Sequence, residues 1–322
     1  MTEIYGTLGP ACAAADTLEA MLRQGMTGVR LNLSHVTLPE AAPLVDALQE
    51  AGRRCGVRPK LLIDMQGPEL RIEALPAPLE LREGETVSLD FVPAAIRLHI
   101  RCGQELLLDD GKLLLRALDS NRAEVLRGGT LTSRKSIALP GLELQLPPLT
   151  VSDRRNLALA RDYGVTGVMQ PFVRSREDLE ALRQALDEAG GERIRIFAKI
   201  ENREGVAHLQ ELLPAADEIV IARGDLGNSG PLWELPALQK RIAAACRCAG
   251  KPFMVVTQML ASMEHRPVPT RAEVSDIFNA VLDGAASVMV TGETAVGDYP
   301  AEVIRYLTRT VGEAEHYANN NM

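Results

Sequence analysis

Six apolar runs in the 322-residue sequence end in polar and charged side chains of the kinds that do chemistry. Lys199-Ile200-Glu201-Asn202 closes one run and Arg223-Gly224-Asp225-Leu226-Gly227 the next. Thr257-Gln258-Met259 and Thr291-Gly292-Glu293 close two more, while Arg30 to His35 and Asp64 to Arg71 end the remaining pair. Lys199 and Glu201 are two apart, so on an extended strand they face the same way. Two hard carboxylates, Glu201 and Asp225, at the ends of successive runs suit Mg²⁺ or Mn²⁺ with the substrate completing an octahedron. The plainer alternative is that each carboxylate pairs with Lys199 or Arg223. A cation beside such a metal suits a reaction in which negative charge develops on a transferring or enolising group. The Gly-rich turn around Asp225 also offers backbone N–H groups to a carboxylate or phosphate.

Arg30, Asn32, Ser34 and Asp64 make a second set. Neutral oxygens with one carboxylate suit a monovalent cation or a phosphate clamp; alternatively Asn32 or Ser34 caps the helix that follows. The Arg71 guanidinium is able to fork onto phosphate oxygens. His35 reads equally as a capping residue, a packing residue or a ligand.

These groups need a scaffold that brings strand ends to one rim. Short Val/Ile/Leu-rich runs recur at 3–9, 27–33, 60–65, 166–171, 194–200, 217–223, 252–257 and 286–291. Runs that are apolar on both faces belong in a buried parallel sheet. Helical periodicity fills the gaps, at 16–24, 38–54, 152–163, 175–189, 205–213, 235–249, 272–283 and 301–315. Ser152, Ser175 and Thr270 stand at helix starts, and Gly25, Gly190, Gly250 and Gly284 at helix ends. Eight strand–helix pairs predict an α/β fold, the (β/α)₈ TIM barrel, whose chemistry sits at the C-terminal strand ends. Between Ile72 and Leu146 the alternation breaks into turn signals and short alternating runs, so the expected division is barrel 1–71, a small β-rich domain 72–147 inserted after the third strand, and barrel 148–322. An insertion there is expected over the barrel mouth as a lid.

Composition narrows the function. Thirty-five Lys and Arg against 43 Asp and Glu give a net charge of −8 with no basic stripe, which argues against nucleic acid as the main partner. The longest apolar stretches run to about eight residues, against the roughly 20 that cross a bilayer. The N-terminus lacks the pattern of a secretory signal. Five scattered cysteines, the closest pair being Cys246 and Cys248, match neither a zinc knuckle nor a redox motif. A reduced cytoplasm is therefore expected. No GxxxxGK[ST] loop, GxGxxG after a strand, GxSxG elbow or HExxH helix occurs.

Over nearly its whole length the sequence resembles pyruvate kinases. The matching pieces include GMTGVRLNLSH (25–35), DMQGPELR (64–71), LLDDG (107–111), LPGLELQLPPLTVSD (139–153), KIENREG (199–205), ARGDLG (222–227), GKPFMVVTQMLASM (250–263), TRAEVSDIFNAVLDG (270–284) and TGETAVGDYP (291–300). The resemblance implies phosphoryl transfer from phosphoenolpyruvate to ADP, giving pyruvate and ATP. It implies that Glu201 and Asp225 bind the divalent metal, that Lys199 neutralises the transferring phosphoryl group and that Arg30 contacts it. Gly224, Asp225 and Thr257 would hold the substrate carboxylate, and Thr291 with Thr257 would stand near the proton relay to the enolate carbon. Asn32, Ser34, Asp64 and the Met65 carbonyl would form a K⁺ site, and Pro10, His35, Arg71 and Lys135 would line the nucleotide.

Departures from the family pattern accompany the match. The sequence stops after the eighth helix, where the family continues into a C-terminal domain that carries an effector site and a subunit interface, so a homodimer through barrel helices is the largest assembly expected. Pro171 replaces a common Ser, Ala138 a common Asn, Thr291 a Ser, and Met65-Gln66 a Thr-Lys pair, while Glu69 keeps the form associated with K⁺ dependence. The departures leave two alternatives: a metal-dependent lyase or decarboxylase acting on a pyruvate-like 2-oxo acid, and a non-catalytic phosphoenolpyruvate-binding paralogue.

Overall fold

The structure is a computed structural model that describes residues 1–34, 36–109, 111–142 and 146–321. Eight parallel strands close a barrel: β1 (Glu3–Thr7), β2 (Gly28–Asn32), β3 (Lys60–Asp64), β4 (Gly167–Gln170), β5 (Arg195–Ile200), β6 (Glu218–Ala222), β7 (Phe253–Val256) and β8 (Ser287–Met289). Each neighbours the next in sequence, and β8 returns to β1 through Glu3 opposite Ser287. The eight expected runs are therefore the eight barrel strands. Several are buried at every position, as strands covered on both faces must be.

The barrel interior is filled by Tyr5, Leu62, Met169, Phe197, Val220, Ala222, Met254, Val256 and Met289. Alternation along each strand carries this inward set upward. Leu62 leads to Asp64, Phe197 to Lys199 and Glu201, and Tyr5 to Thr7. Room for the interior rings comes from Gly28 and Gly167: a Cβ would stand 2.6 Å from the Tyr5 ring at the first and 2.6 Å from the Phe197 ring at the second.

Helices follow the strands with apolar stripes at helical spacing. The helix Ala15–Arg23 buries Leu18, Met21 and Leu22, and Arg176–Glu188 buries Leu179, Leu182 and Leu186. Thr270 caps Arg271–Leu282 with a reciprocal capping box to Glu273. Helix boundaries differ from the sequence expectation in several places: the helix expected at 38–54 is Ala42–Cys55, the one expected at 152–163 ends at Leu159, and the last runs Pro300–Asn321; two further differences have a visible cause. The helix after the insertion starts at Val151, because Thr150 forms a capping box with Asp153 that Ser152 has no geometry to replace. The expected helix 205–213 is two helices, Arg203–Ala207 and Leu209–Ala215, the first begun by the Asn202 side chain accepting from the Gly205 N–H.

By compactness the chain divides into two units. One contains Met1–Gly67, Pro148–Arg223 and Pro236–Met322; the other contains Pro68–Pro147 with Gly224–Leu235. The second unit has the small β-rich domain that the turn signals predicted. Its five-stranded antiparallel sheet has Glu105–Leu108, Leu113–Ala117 and Arg122–Arg127 at the centre, with Thr86–Ser88 and Ile137–Ala138 at the edges. Leu79–Leu81 pairs with Gly129–Leu131 in a separate ribbon. Its strands alternate as one-sided sheets do: Leu106, Leu108, Leu113, Leu115, Ala123 and Val125 enter its own core while their neighbours face outward.

Candidate active site

Four side chains from the C-terminal ends of β2, β3 and β5 meet, with β4 lying between β3 and β5 in the barrel. The Asp64 carboxylate, 2% exposed, accepts from Arg30 Nε at 2.8 Å and Nη2 at 2.6 Å, and from Lys199 Nζ at 3.1 and 3.2 Å. Lys199 also meets Glu201 Oε1 at 3.0 Å, as their two-residue spacing on β5 requires. The other Glu201 oxygen accepts the Phe172 N–H at 2.8 Å. Two cations and two carboxylates thus share one buried cluster, which is how ionised groups survive out of water.

Burial alone would lower the Lys199 pKa, but the charges of Asp64 and Glu201 outweigh it and hold it well above its ordinary range. Burial likewise works against the Asp64 carboxylate, and the charges of Lys199 and Arg30 reverse that, keeping its pKa below the usual value. Lys199 is therefore a fixed positive charge at neutral pH and not a proton donor.

At the C-terminal strand ends the backbone is strained. Phe172 has φ +52°, Thr257 +82° and Gln258 +55°. A positive φ at a β-branched threonine is a true outlier, and each such residue costs on the order of 1–3 kcal/mol that its surroundings must offset. At Thr257 the compensation is visible. Arg223, at the end of β6, donates from Nε at 3.1 Å and Nη2 at 2.7 Å to the Thr257 carbonyl oxygen, and its Nη1 meets Asp276 Oδ2 at 2.6 Å. Sequence reasoning considered Arg223 only as a partner for carboxylates at the strand ends; a carboxylate on a barrel helix takes it instead, and its work on a backbone carbonyl 34 residues away leaves no spacing signal.

Thr291 is held in a similar way. Glu293, 1% exposed, accepts from the Thr291 N–H at 2.6 Å and hydroxyl at 3.2 Å, and with its other oxygen from the Leu260 N–H at 3.2 Å. One buried carboxylate ties the loop after β7 to the end of β8. Asn32 accepts the Ser34 N–H at 3.1 Å, a local turn that fixes both oxygen-bearing residues. The Met65 N–H donates to the Met169 carbonyl at 3.1 Å.

The remaining expected residues fall elsewhere. Gly224 and Asp225 lie in a six-residue helix, Arg223–Asn228, and not in an open glycine turn. Pro10 begins a short 3₁₀ turn and is exposed. Arg71 and Lys135 sit on segments of the second unit joined by the Arg71–Ser136 bridge. Arg71 pairs with Glu69 at 2.7 Å and donates to the Arg134 carbonyl at 2.9 Å, while Lys135 meets Asp109 Oδ1 at 2.7 Å. His35 lies outside the described residues.

Among the described residues no three His, Cys, Asp or Glu side chains stand close enough to form a metal cage. A hard ion that binds through one or two carboxylates and takes its other oxygens from substrate and water needs no such cage, and the Glu201 carboxylate is a donor of the right chemistry.

A family model described as pyruvate kinase, barrel domain, matches residues 1–91 and 81–304. The pyruvate kinase of Geobacillus stearothermophilus is 37% identical over 340 residues, an alignment covering 98% of this chain and 58% of that protein. That of Aeropyrum pernix is 37% identical over 97% of this chain and 70% of its own length, and that of Corynebacterium efficiens 39% identical over 98% and 70%. The chain thus spans 58% of the Geobacillus relative's length and 70% of the other two. With the closed barrel, the inserted sheet and the strand-end cluster in place, these matches settle its kinship: the chain belongs to the pyruvate kinase family.

Proposed function

We propose that the chain transfers the phosphoryl group of phosphoenolpyruvate to ADP, the last step of glycolysis. The observation that carries this reading is the buried Arg30–Asp64–Lys199–Glu201 cluster. The P–O bond to the enol oxygen breaks, a bond forms to a terminal oxygen of ADP, and the enolate carbon takes a proton to give pyruvate. Charge builds on the phosphoryl oxygens and then on the enolate, so fixed cations are the main requirement. Arg30 and Lys199 share the Asp64 carboxylate, and Lys199 also meets Glu201, so two fixed cations stand at the strand ends where an incoming phosphate would be met. The ammonium of Lys199 stays protonated throughout, so it neutralises charge while protonation of the enolate is left to the hydroxyls of Thr257 and Thr291 and to water. Gly224, Asp225 and Thr257 hold the substrate carboxylate.

Glu201 with Asp225 would hold Mg²⁺ or Mn²⁺, which would supply further charge neutralisation at the phosphoryl and enolate oxygens. Asn32, Ser34, Asp64 and the Met65 carbonyl would hold K⁺. Pro10, His35, Arg71 and Lys135 lie along the nucleotide in this reading. Arg71 and Lys135 are already engaged by Glu69 and Asp109, and exchange those carboxylates for phosphate oxygens. We place the enzyme in the cytoplasm as a homodimer through barrel helices, with the division 1–71, 72–147 and 148–322; among the described residues no helix is long and apolar enough to cross a membrane.

The test is pyruvate formation from phosphoenolpyruvate and ADP with Mg²⁺, with and without K⁺, beside a Glu201→Ala control. Turnover that vanishes in the control supports the kinase. Absence of turnover with phosphoenolpyruvate still bound rejects it in favour of the binding paralogue, and nucleotide-independent decarboxylation of oxaloacetate points to the lyase.

A further inference from the structure

The helix Val151–Leu159 has an unusual buried face: beside Leu157 it carries Asp153 and Asn156, exposed by 0% and 2%. Asn156 accepts the Leu38 N–H at 3.0 Å. Asp153 does more than its place at the third position of the helix demands. Oδ2 accepts the Thr150 N–H and hydroxyl, both at 2.8 Å, which completes the capping box. The same oxygen also accepts the Gly67 N–H at 3.1 Å, and Oδ1 accepts the Gln66 N–H at 2.9 Å. Among the described residues all four donors are neutral. The helix N-terminus adds its dipole, and together these groups replace the water that a buried carboxylate loses.

The two extra donors identify what is being held. The ladder between β3 and β4 ends with the Met65 N–H on the Met169 carbonyl. The next two N–H groups in the chain, those of Gln66 and Gly67, have no strand partner and go to Asp153 instead. Gly67 turns there with φ +59°, and a Cβ on it would stand 2.4 Å from Pro171 Cγ, so the turn is packed from the side as well. Immediately before it come Asp64, which gathers Arg30 and Lys199, and the Met65 carbonyl.

We infer that Asp153 is a positioning residue for the end of β3: by prolonging the ladder past Met65 it fixes the Asp64 carboxylate, and through it Arg30 and Lys199, for phosphoryl transfer. This rests on the proposed reaction for its kinetic part alone. The bonds themselves are tested without it.

Asp153→Asn keeps the shape and one acceptor oxygen but turns an N–H₂ toward a donor it formerly satisfied. Thr150→Ala is the comparison, because it weakens the same helix cap and leaves the Gln66 and Gly67 bonds intact. Amide hydrogen exchange read by NMR should show Gln66 and Gly67 protected in the unmodified chain and exchanging at least roughly tenfold faster in Asp153→Asn, the scale of losing one net hydrogen bond. In Thr150→Ala they should stay protected. In the coupled assay kcat/KM for phosphoenolpyruvate should fall about 10- to 100-fold in Asp153→Asn, the cost of a misplaced constellation, and hold within about twofold in Thr150→Ala even though both variants lower Tm. Unprotected Gln66 and Gly67 amides in the unmodified chain would overturn the inference, and that measurement needs no variant to fold. Equal kinetic losses in the two variants would also overturn it, reducing Asp153 to a helix cap. A chain that makes no pyruvate at all would refute the proposed reaction, while the exchange data would still decide whether Asp153 holds the turn.

Discussion

The two ends of the barrel both bury charge, and they do it differently. At the N-terminal end Glu3 on β1 meets Lys60 on β3 and accepts the Tyr5 hydroxyl at 2.6 Å, while Glu218 on β6 is held by Ser287 on β8 and by Arg195 on β5 at 3.0 Å. Arg195 also stacks on the Phe197 ring at 4.9 Å. Every one of those residues sits in ordinary extended backbone. At the C-terminal end the cluster of Arg30, Asp64, Lys199 and Glu201 is touched by Phe172, and Phe172, Thr257 and Gln258 at the strand ends adopt left-handed conformations. Charge burial alone therefore does not mark a site, since both ends have it; strain beside buried charge does. The lower network ties strands together, whereas the upper one keeps cations fixed next to backbone that the fold has forced into place.

The largest expected break in this contrast is Lys199→Met. It removes the ammonium between Asp64 and Glu201 and leaves Asp64 with Arg30 and Glu201 with the Phe172 N–H. Turnover should fall by about 10³-fold or more, the scale of losing a preorganised electrostatic group, with a smaller change in KM. Steady-state kinetics on folded protein checks this. A variant with near-normal kcat would show that Lys199 is not the neutralising charge.

Next in size comes Arg223→Met, which leaves the Thr257 carbonyl and Asp276 without their shared donor. The loss expected is about 10²-fold in kcat/KM, as for a catalytic hydroxyl displaced by an ångström. It should largely disappear on a Thr257→Ala background, because residues acting through one another are not additive. Losses that simply multiply would mean that Arg223 acts on something other than Thr257.

How much of this was readable beforehand follows from the range of each interaction. The barrel was legible because burial on both faces writes continuous apolar runs such as FMVV and EIVIA, and the inserted sheet because one-sided burial writes alternation, as in LLLRA. Lys199 and Glu201 were legible as a pair because a strand puts residues two apart on one side. Arg223, Glu293 and Asp153 carry no such mark. The partners that matter are backbone N–H and C=O groups, which nearly every residue has, and these lie in loops that follow other strands: Arg223 reaches Thr257, Glu293 reaches Leu260, and Asp153 reaches Gln66 and Gly67. Sequence spacing reports contacts between side-chain types within one element, and this site is held by side chains on the backbone of another. The same limit applies to the Asp225 segment: two flanking glycines point to an open turn, yet the chain there winds into Arg223–Asn228.

The smallest expected effect sharpens the contrast from the other side. Glu218→Gln changes only the lower network, so kcat and KM should stay within about twofold, whereas stability should change in a pH-dependent way. Burial pushes the Glu218 carboxyl above its ordinary pKa, against the pull of Ser287 and Arg195. An acid with a raised folded pKa keeps its proton in the native state after the unfolded chain, with a value of about 4.3, has released it. Native protein then binds more protons, so stability falls as pH rises from the unfolded value through the folded one, and the full cost applies above both. Glutamine has no proton to lose. Relative to the variant, the unmodified chain should therefore lose stability between pH 4 and neutrality, by on the order of 1 kcal/mol, the common scale of a point substitution. Thermal denaturation of both proteins across that range measures the difference. An unmodified chain whose Tm rises relative to that of Glu218→Gln as pH increases would show the ionised carboxylate to be the stabilised form, and a loss of turnover in the variant would join the lower network to the reaction and dissolve the distinction between the two ends.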